Sequence, residues 1–224
     1  LVLWLSLIPG VMAVLTFLIL VKDPAHSPNP ELRFLTSLRG LPVRFRRFLG
    51  AVGLFGIGDF SHSLLILAAT TLLTPTMGVV RAAQIAGLLY VGRNVVQVIA
   101  SYPVGILADR WGSTAVLVAG YGLGTTTALL TAIAFLGEQT GLPFLASVFG
   151  LAGLSMAVQE ALEATVTAEL ASTETLATSL GAMGTVNGIA KFVSSTAVGL
   201  LWTVISPVFS FGLAAGLMFS GTLL

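Results

Sequence analysis

Apolar residues run in long, nearly unbroken stretches along this chain, and polar residues gather in a few short breaks. A membrane-spanning helix needs about 20 apolar residues. Stretches near that length cover 1–21, 48–73, 82–107, 114–137, 143–167, 178–202 and 208–224, so the pattern predicts about seven spans. Lys22-Asp23-Pro24 closes the first, Thr74-Pro75 the second, Ala108-Asp109-Arg110 the third and Gly137-Glu138 the fourth. The fifth weakens into Glu169 and Glu174, and Pro207 divides the sixth from the seventh. Residues 22–47 form the one long polar stretch. It opens with Pro24, Pro28 and Pro30. Arg33, Arg39, Arg44, Arg46 and Arg47 then alternate with Leu32, Phe34, Leu35, Leu38, Leu41, Phe45 and Phe48. That alternation suits a short helix lying on a membrane surface.

Composition sharpens the picture. Only 8% of the 224 residues are charged and 56% are hydrophobic, a balance that excludes a soluble domain. The expected fold class is an all-α, polytopic transmembrane helical bundle. The net charge is +1 and no basic patch is interleaved with aromatics, so no nucleic-acid partner is expected. Cysteine is absent, which excludes disulfides and thiolate metal sites. Residues 1–21 have no basic n-region and are not read as a signal peptide. The expectation is a fragment whose N-terminal part is absent. Six of the ten Lys and Arg residues fall in 22–47. The positive-inside rule places that loop, and the loop with Arg110, in the cytoplasm, and leaves only Arg81 on the other side. Leu1 is then outside and Leu224 inside, in a bilayer expected to be a bacterial cytoplasmic membrane.

Charges inside the spans are the candidate chemistry. Asp59, Arg93, Glu160, Glu163 and Lys191 fall within otherwise apolar stretches. A charge near a bilayer centre costs about 2.5–3.5 kcal/mol on insertion scales, so such residues face protein or a wet cavity. They mark either a transport pathway or a buried pair that locks helices together. Helical spacing gathers Asp59 and His62, with Ser63, on the second span. It gathers Tyr90, Arg93, Asn94, Gln97 and Ser101 on the third. Gln159, Glu160 and Glu163 cluster on the fifth, and Asn187, Lys191 and Ser194/Ser195 align on the sixth. The fourth and seventh spans carry no charge and read as lipid-compatible all round. A polar cavity lined by spans two, three, five and six follows. An unpaired carboxylate in such a site favours its neutral form, which suits reversible protonation. Asp59, His62, Glu160 and Glu163 also make a weak metal-ligand inventory, with Arg93 and Lys191 nearby to compete. Small residues at fourfold spacing read as helix packing positions: Gly120 and Gly124; Gly184 and Gly188; Gly212, Gly216 and Ser220.

The third span ends Tyr102-Pro103-Val104-Gly105-Ile106-Leu107-Ala108-Asp109-Arg110-Trp111-Gly112. This resembles the Gly-x-Leu-Ala-Asp-Arg-x-Gly loop signature of the major facilitator superfamily, which joins the second and third helix of each half. Gly56 to Leu67 resembles the start of the seventh helix in bacterial members. Glu160 to Glu163, Thr178 to Gly181 and Gly199 to Trp202 resemble the tenth-to-eleventh helix region. The resemblance implies that 1–21 is the last helix of a missing N-terminal half, 22–47 the central cytoplasmic loop and 48–224 a complete six-helix C-terminal half. It also implies a conformational gate at Gly105, Asp109, Arg110 and Gly112, with Asp109 pairing with neighbouring helix ends. The signature usually continues with Arg or Lys; here Ser113 and Thr114 follow, which weakens the basic part of the gate and offers two possible caps for the next helix.

These readings converge on secondary active transport of a small solute by alternating access, proton-coupled and favouring efflux. The substrate or proton pathway would involve Asp59, His62, Arg93, Asn94, Gln97, Glu160, Glu163, Asn187 and Lys191. The partners would be a small-molecule or ion substrate, the lipid bilayer and the missing half; no cofactor or resident metal is expected. Divalent-metal export and a non-transporting scaffold or sensor are the alternatives. No nucleophile–base constellation suggests an enzyme.

Overall fold

The computed structural model describes residues 2–20, 41–173 and 175–224, with the side chains described from Leu7 onward. The chain divides into two units, Leu1–Thr36 and Ser37–Leu224. Within the first, α1 spans Val2–Leu20, an apolar helix containing Pro9. At 1.5 Å per residue its 19 residues reach about 28 Å, close to the hydrocarbon thickness of a bilayer. The surface helix expected between 22 and 47 falls mostly outside the described residues.

The second unit is an all-α membrane bundle of seven helices among its described residues: α2 (Val43–Gly58), α3 (His62–Met77), α4 (Val79–Trp111), α5 (Ser113–Leu136), α6 (Leu142–Leu170), α7 (Leu176–Val204) and α8 (Pro207–Leu223). By length and composition, four stretches can cross a membrane: Val43–Met77, Val79–Trp111, Ser113–Leu136 and Leu142–Leu170. Leu176–Val204 has the length, 29 residues, but dilutes its apolar run with Asn187 and Lys191. Pro207–Leu223 is apolar and shorter.

The stretch expected as one span over 48–73 is two helices. Three residues, Asp59, Phe60 and Ser61, interrupt it. Asp59 ends α2 with its amide donating to Phe55 O and Gly56 O. Ser61 caps α3, its Oγ accepting from the Ser63 amide at 3.3 Å. Close packing fixes the break in place. A Cβ on Gly58 would collide with the Ala214 carbonyl and Met218 of α8. The Ser61 amide donates across to Ser195 Oγ of α7 at 3.0 Å. α2 packs mainly on α7 and α8, whereas α3 packs mainly on α4.

Helix α5 is the inner scaffold. It packs along α6 and α8, and ten of its residues are buried, from Val116 to Ala134. The charge-free fourth span is therefore apolar because protein surrounds much of it, which corrects the expectation of a helix facing lipid all round. Gly120 and Gly124 do serve packing: Val158 of α6 sits where a Gly120 Cβ would be, and Ser155 Oγ and Met218 crowd Gly124. The equally spaced Gly184/Gly188 and Gly212/Gly216 pairs have nothing within 4 Å of a built Cβ, so close helix approach does not use them within this unit. Aromatic rings close two ends of the core. Phe55 stacks on Tyr121 at 3.9 Å between centroids. Phe135, Trp202 and Phe211 form a cluster that Phe60 joins edge-on.

Candidate functional site: the intramembrane charge cluster

The break between α2 and α3 sets the first part of the site. Because the helix stops at Asp59, this residue and His62 are not neighbours on one helical turn, as the i,i+3 spacing predicted; they stand on either side of the interruption. The Asp59 carboxylate turns to α7 and meets Lys191 Nζ at 3.0 Å. This is the one ion pair among the described residues. The Asp59 side chain is 13% exposed and that of Lys191 32%, so the pair lies at the edge of the interior.

Arg93 of α4 forms the second part. It is 4% exposed, and every hydrogen-bond partner it has is neutral. Its Nη1 donates to Asn94 Oδ1 at 2.6 Å and to Gln97 Oε1 at 2.8 Å, and its Nη2 lies 2.9 Å from His62 Nε2. A guanidinium has no acceptor, so His62 Nε2 accepts and the imidazole proton sits on Nδ1. The Tyr90 ring lies 5.7 Å from the guanidinium carbon, within cation–π reach. Gln97 passes the network on, donating from its Nε2 to Glu160 Oε2 on α6. The helical face read from Tyr90, Arg93, Asn94 and Gln97 is thus brought together. Ser101 bonds only back to the Gln97 carbonyl.

Glu163 forms the third part and is the most enclosed carboxylate described, at 6% exposed. Tyr121 Oη of α5 donates to its Oε1 at 3.0 Å, and Asn187 Nδ2 of α7 donates to its Oε2 at 2.9 Å. Tyr121 was missed in the sequence because it stands alone in an apolar span. Its one signal was a lone phenol between Gly120 and Gly122, where small neighbours let a buried polar ring reach another helix. The expected cluster of Gln159, Glu160 and Glu163 splits three ways. Glu160 is exposed and faces Gln97, Glu163 is buried against Tyr121 and Asn187, and Gln159 is buried with its Nε2 on Ser155 Oγ at 3.1 Å. A small cavity of about 30 Å³ lies between Asp59, His62, Ser155 and Gln159. It can hold one or two waters.

The four elements expected to line a polar cavity, the α2–α3 pair, α4, α6 and α7, therefore supply every charged group of this cluster, and α5 adds Tyr121 from behind. Among the described residues no three of His, Asp and Glu gather at one point. Asp59, His62, Glu160 and Glu163 each turn to a different partner.

The loop signature lies elsewhere. Gly105 sits within α4, one and a half turns before its end and away from the turn that follows. Gly112 lies in that turn: its φ of +92° belongs to the region that favours glycine. Asp109 and Arg110 are exposed in the last turn of α4, and neither makes an ion pair among the described residues. Ser113 does not cap α5. Its hydroxyl donates instead to Glu169 Oε1 at 2.6 Å and ties this turn to the end of α6.

No protein-family model matches the chain. Over 207 residues, 92% of its length, it is 30% identical to an uncharacterized MFS-type transporter of Methanocaldococcus jannaschii. The chain spans about half of that relative, 50% of its length. Nearly all of this helical membrane protein is thus similar to half of a transporter of the major facilitator type.

Proposed function

We propose that this chain belongs to the major facilitator superfamily, that residues 48–224 form a C-terminal six-helix half, and that it moves a small solute by alternating access. In such a cycle one half rocks against the other around a site near the midplane. The observation that carries this reading is the Asp59–Lys191 pair at 3.0 Å, set at a helix break beside the Arg93 network. The likeness to an MFS-type transporter over most of the chain supports it independently.

Proton coupling follows from the pair's chemistry. A proton arriving on Asp59 removes the negative charge that holds Lys191, and the tie between α2 and α7 is lost. Proton release restores it. Arg93, held only by neutral acceptors, then offers the excess positive charge that an anionic solute group would meet. Outward movement of a small organic solute remains the favoured direction.

The test uses full-length protein in vesicles containing a trapped pH dye, screened against amino acids, sugars, organic acids and lipophilic amines. A solute that moves protons in the wild type should lose that movement in Asp59→Asn while still exchanging across the membrane. Proton movement unchanged in Asp59→Asn would make Asp59 structural and shift attention to Glu160 and Glu163. The structural-lock reading draws on the hydrogen bonds that Arg93 makes with Asn94, Gln97 and His62. It predicts that Arg93→Ala lowers the folded yield and leaves flux per folded molecule unchanged.

A further inference from the structure

A groove of about 290 Å³ opens at the end of the bundle where α2 begins, walled by Phe48, Leu117, Val118, Val166 and Leu170. Its mouth carries Arg44 and Arg47, one helical turn apart on α2 and both exposed. Its inner end is closed by Tyr121. From Arg44 to Ala51, and from Thr114 to Tyr121, is seven residues along a helix, so the groove runs about 10 Å inward from its basic mouth. Depth and chemistry are graded together: charge outside, hydrocarbon inside.

Among the side chains that line the groove there is no carboxylate. The first turn of α2 contains no acidic residue, while Arg44, Arg46 and Arg47 crowd that end. A helix N-terminus itself carries partial positive charge, so cations there are unfavourable unless an anion joins them. Neither Arg44 nor Arg47 makes an ion pair among the described residues. Glu169, one residue before the lining Leu170, is engaged by Ser113. Residues 22–40 hold Lys22, Arg33 and Arg39 against Asp23 and Glu31, so their composition offers this mouth no excess of negative charge.

We propose that this groove binds an anionic phospholipid, its phosphate between Arg44 and Arg47 and the upper part of one acyl chain along Phe48, Leu117, Val118 and Val166. Basic pockets between spans are suited to such headgroups, and the positive-inside bias places this end at the anionic leaflet. The bound chain would rest against Tyr121, whose hydroxyl holds Glu163. Lipid occupancy and the orientation of that carboxylate are thereby linked.

The test is thermal unfolding and native mass spectrometry of the full-length protein in detergent, titrated with phosphatidylglycerol, phosphatidylcholine or inorganic phosphate. Phosphatidylglycerol should raise Tm and leave a retained one-lipid adduct, and the other two should not. Arg44→Gln/Arg47→Gln should weaken binding by about 30-fold, the usual contribution of one surface basic residue taken twice. Ala51→Trp keeps both arginines and fills the groove, and should abolish the adduct; Val118→Phe, at a half-exposed wall position, is the milder companion where Ala51→Trp does not fold. Equal stabilisation by phosphatidylcholine or phosphate overturns the proposal. So does phosphatidylglycerol binding that survives groove filling, since the lipid would then sit on the arginines alone.

Discussion

Asp59 and Glu163 are both carboxylates inside the bundle, and the fold treats them in opposite ways. Asp59, at a helix break, is balanced by a cation 3.0 Å away. Glu163, in mid-helix, is solvated by a phenol and an amide, one on each oxygen. The first pair sums to zero charge. The second gives Glu163 hydrogen bonds and no counter-charge, as Arg93 too has only neutral partners. Removing a partner from an ion pair strands a charge, whereas removing a neutral donor only thins a solvation shell. The two sites should therefore answer mutation differently.

That contrast is broken or sharpened by five variants of the full-length protein, each read as the midpoint of unfolding by SDS in mixed micelles. The largest effect is expected from Lys191→Met. It leaves Asp59 without its cation and should cost about 3 kcal/mol, the low end for a buried pair because Lys191 is partly exposed. Adding Asp59→Asn should recover most of that loss; a double variant no better than the single would mean the pair is not coupled. Glu163→Ala comes next, at about 2–3 kcal/mol, because Tyr121 Oη and Asn187 Nδ2 both lose their acceptor. Tyr121→Phe removes one hydrogen bond to a buried carboxyl group and should cost about 1.5 kcal/mol. If it costs as much as Lys191→Met, neutral donors hold a carboxylate here as firmly as a cation does, and the contrast fails. Glu160→Gln, at an exposed residue, should change the midpoint by less than about 1 kcal/mol.

Hydropathy made the helices legible to within a few residues, because bilayer length and backbone hydrogen bonding leave a chain this apolar few choices. It passed over the interruption at Asp59, Phe60 and Ser61, since a three-residue break scarcely lowers an average taken over a span. The local signals were present in Gly58, which cannot carry a side chain against α8, and in Ser61, a preferred helix cap. Charge positions named the helices that carry them, but direction around a helix was not readable. Gln159, Glu160 and Glu163 lie within five residues of one another and end up with three separate partners. Glycine spacing was equally ambiguous. Gly120/Gly124 and Gly184/Gly188 share one spacing, and only the first pair meets another helix at close range within this unit.

The interruption before α3 also divides the bundle mechanically. α2 is packed with α7 and α8, and α3 with α4. Bending a continuous helix between such groups would require breaking several backbone hydrogen bonds, but here the amides of Phe60 to Ser63 already donate to no preceding backbone carbonyl. The span acts as a jointed rod, whose two segments can tilt with their separate neighbours while Ser61 and Ser195 keep the joint from sliding.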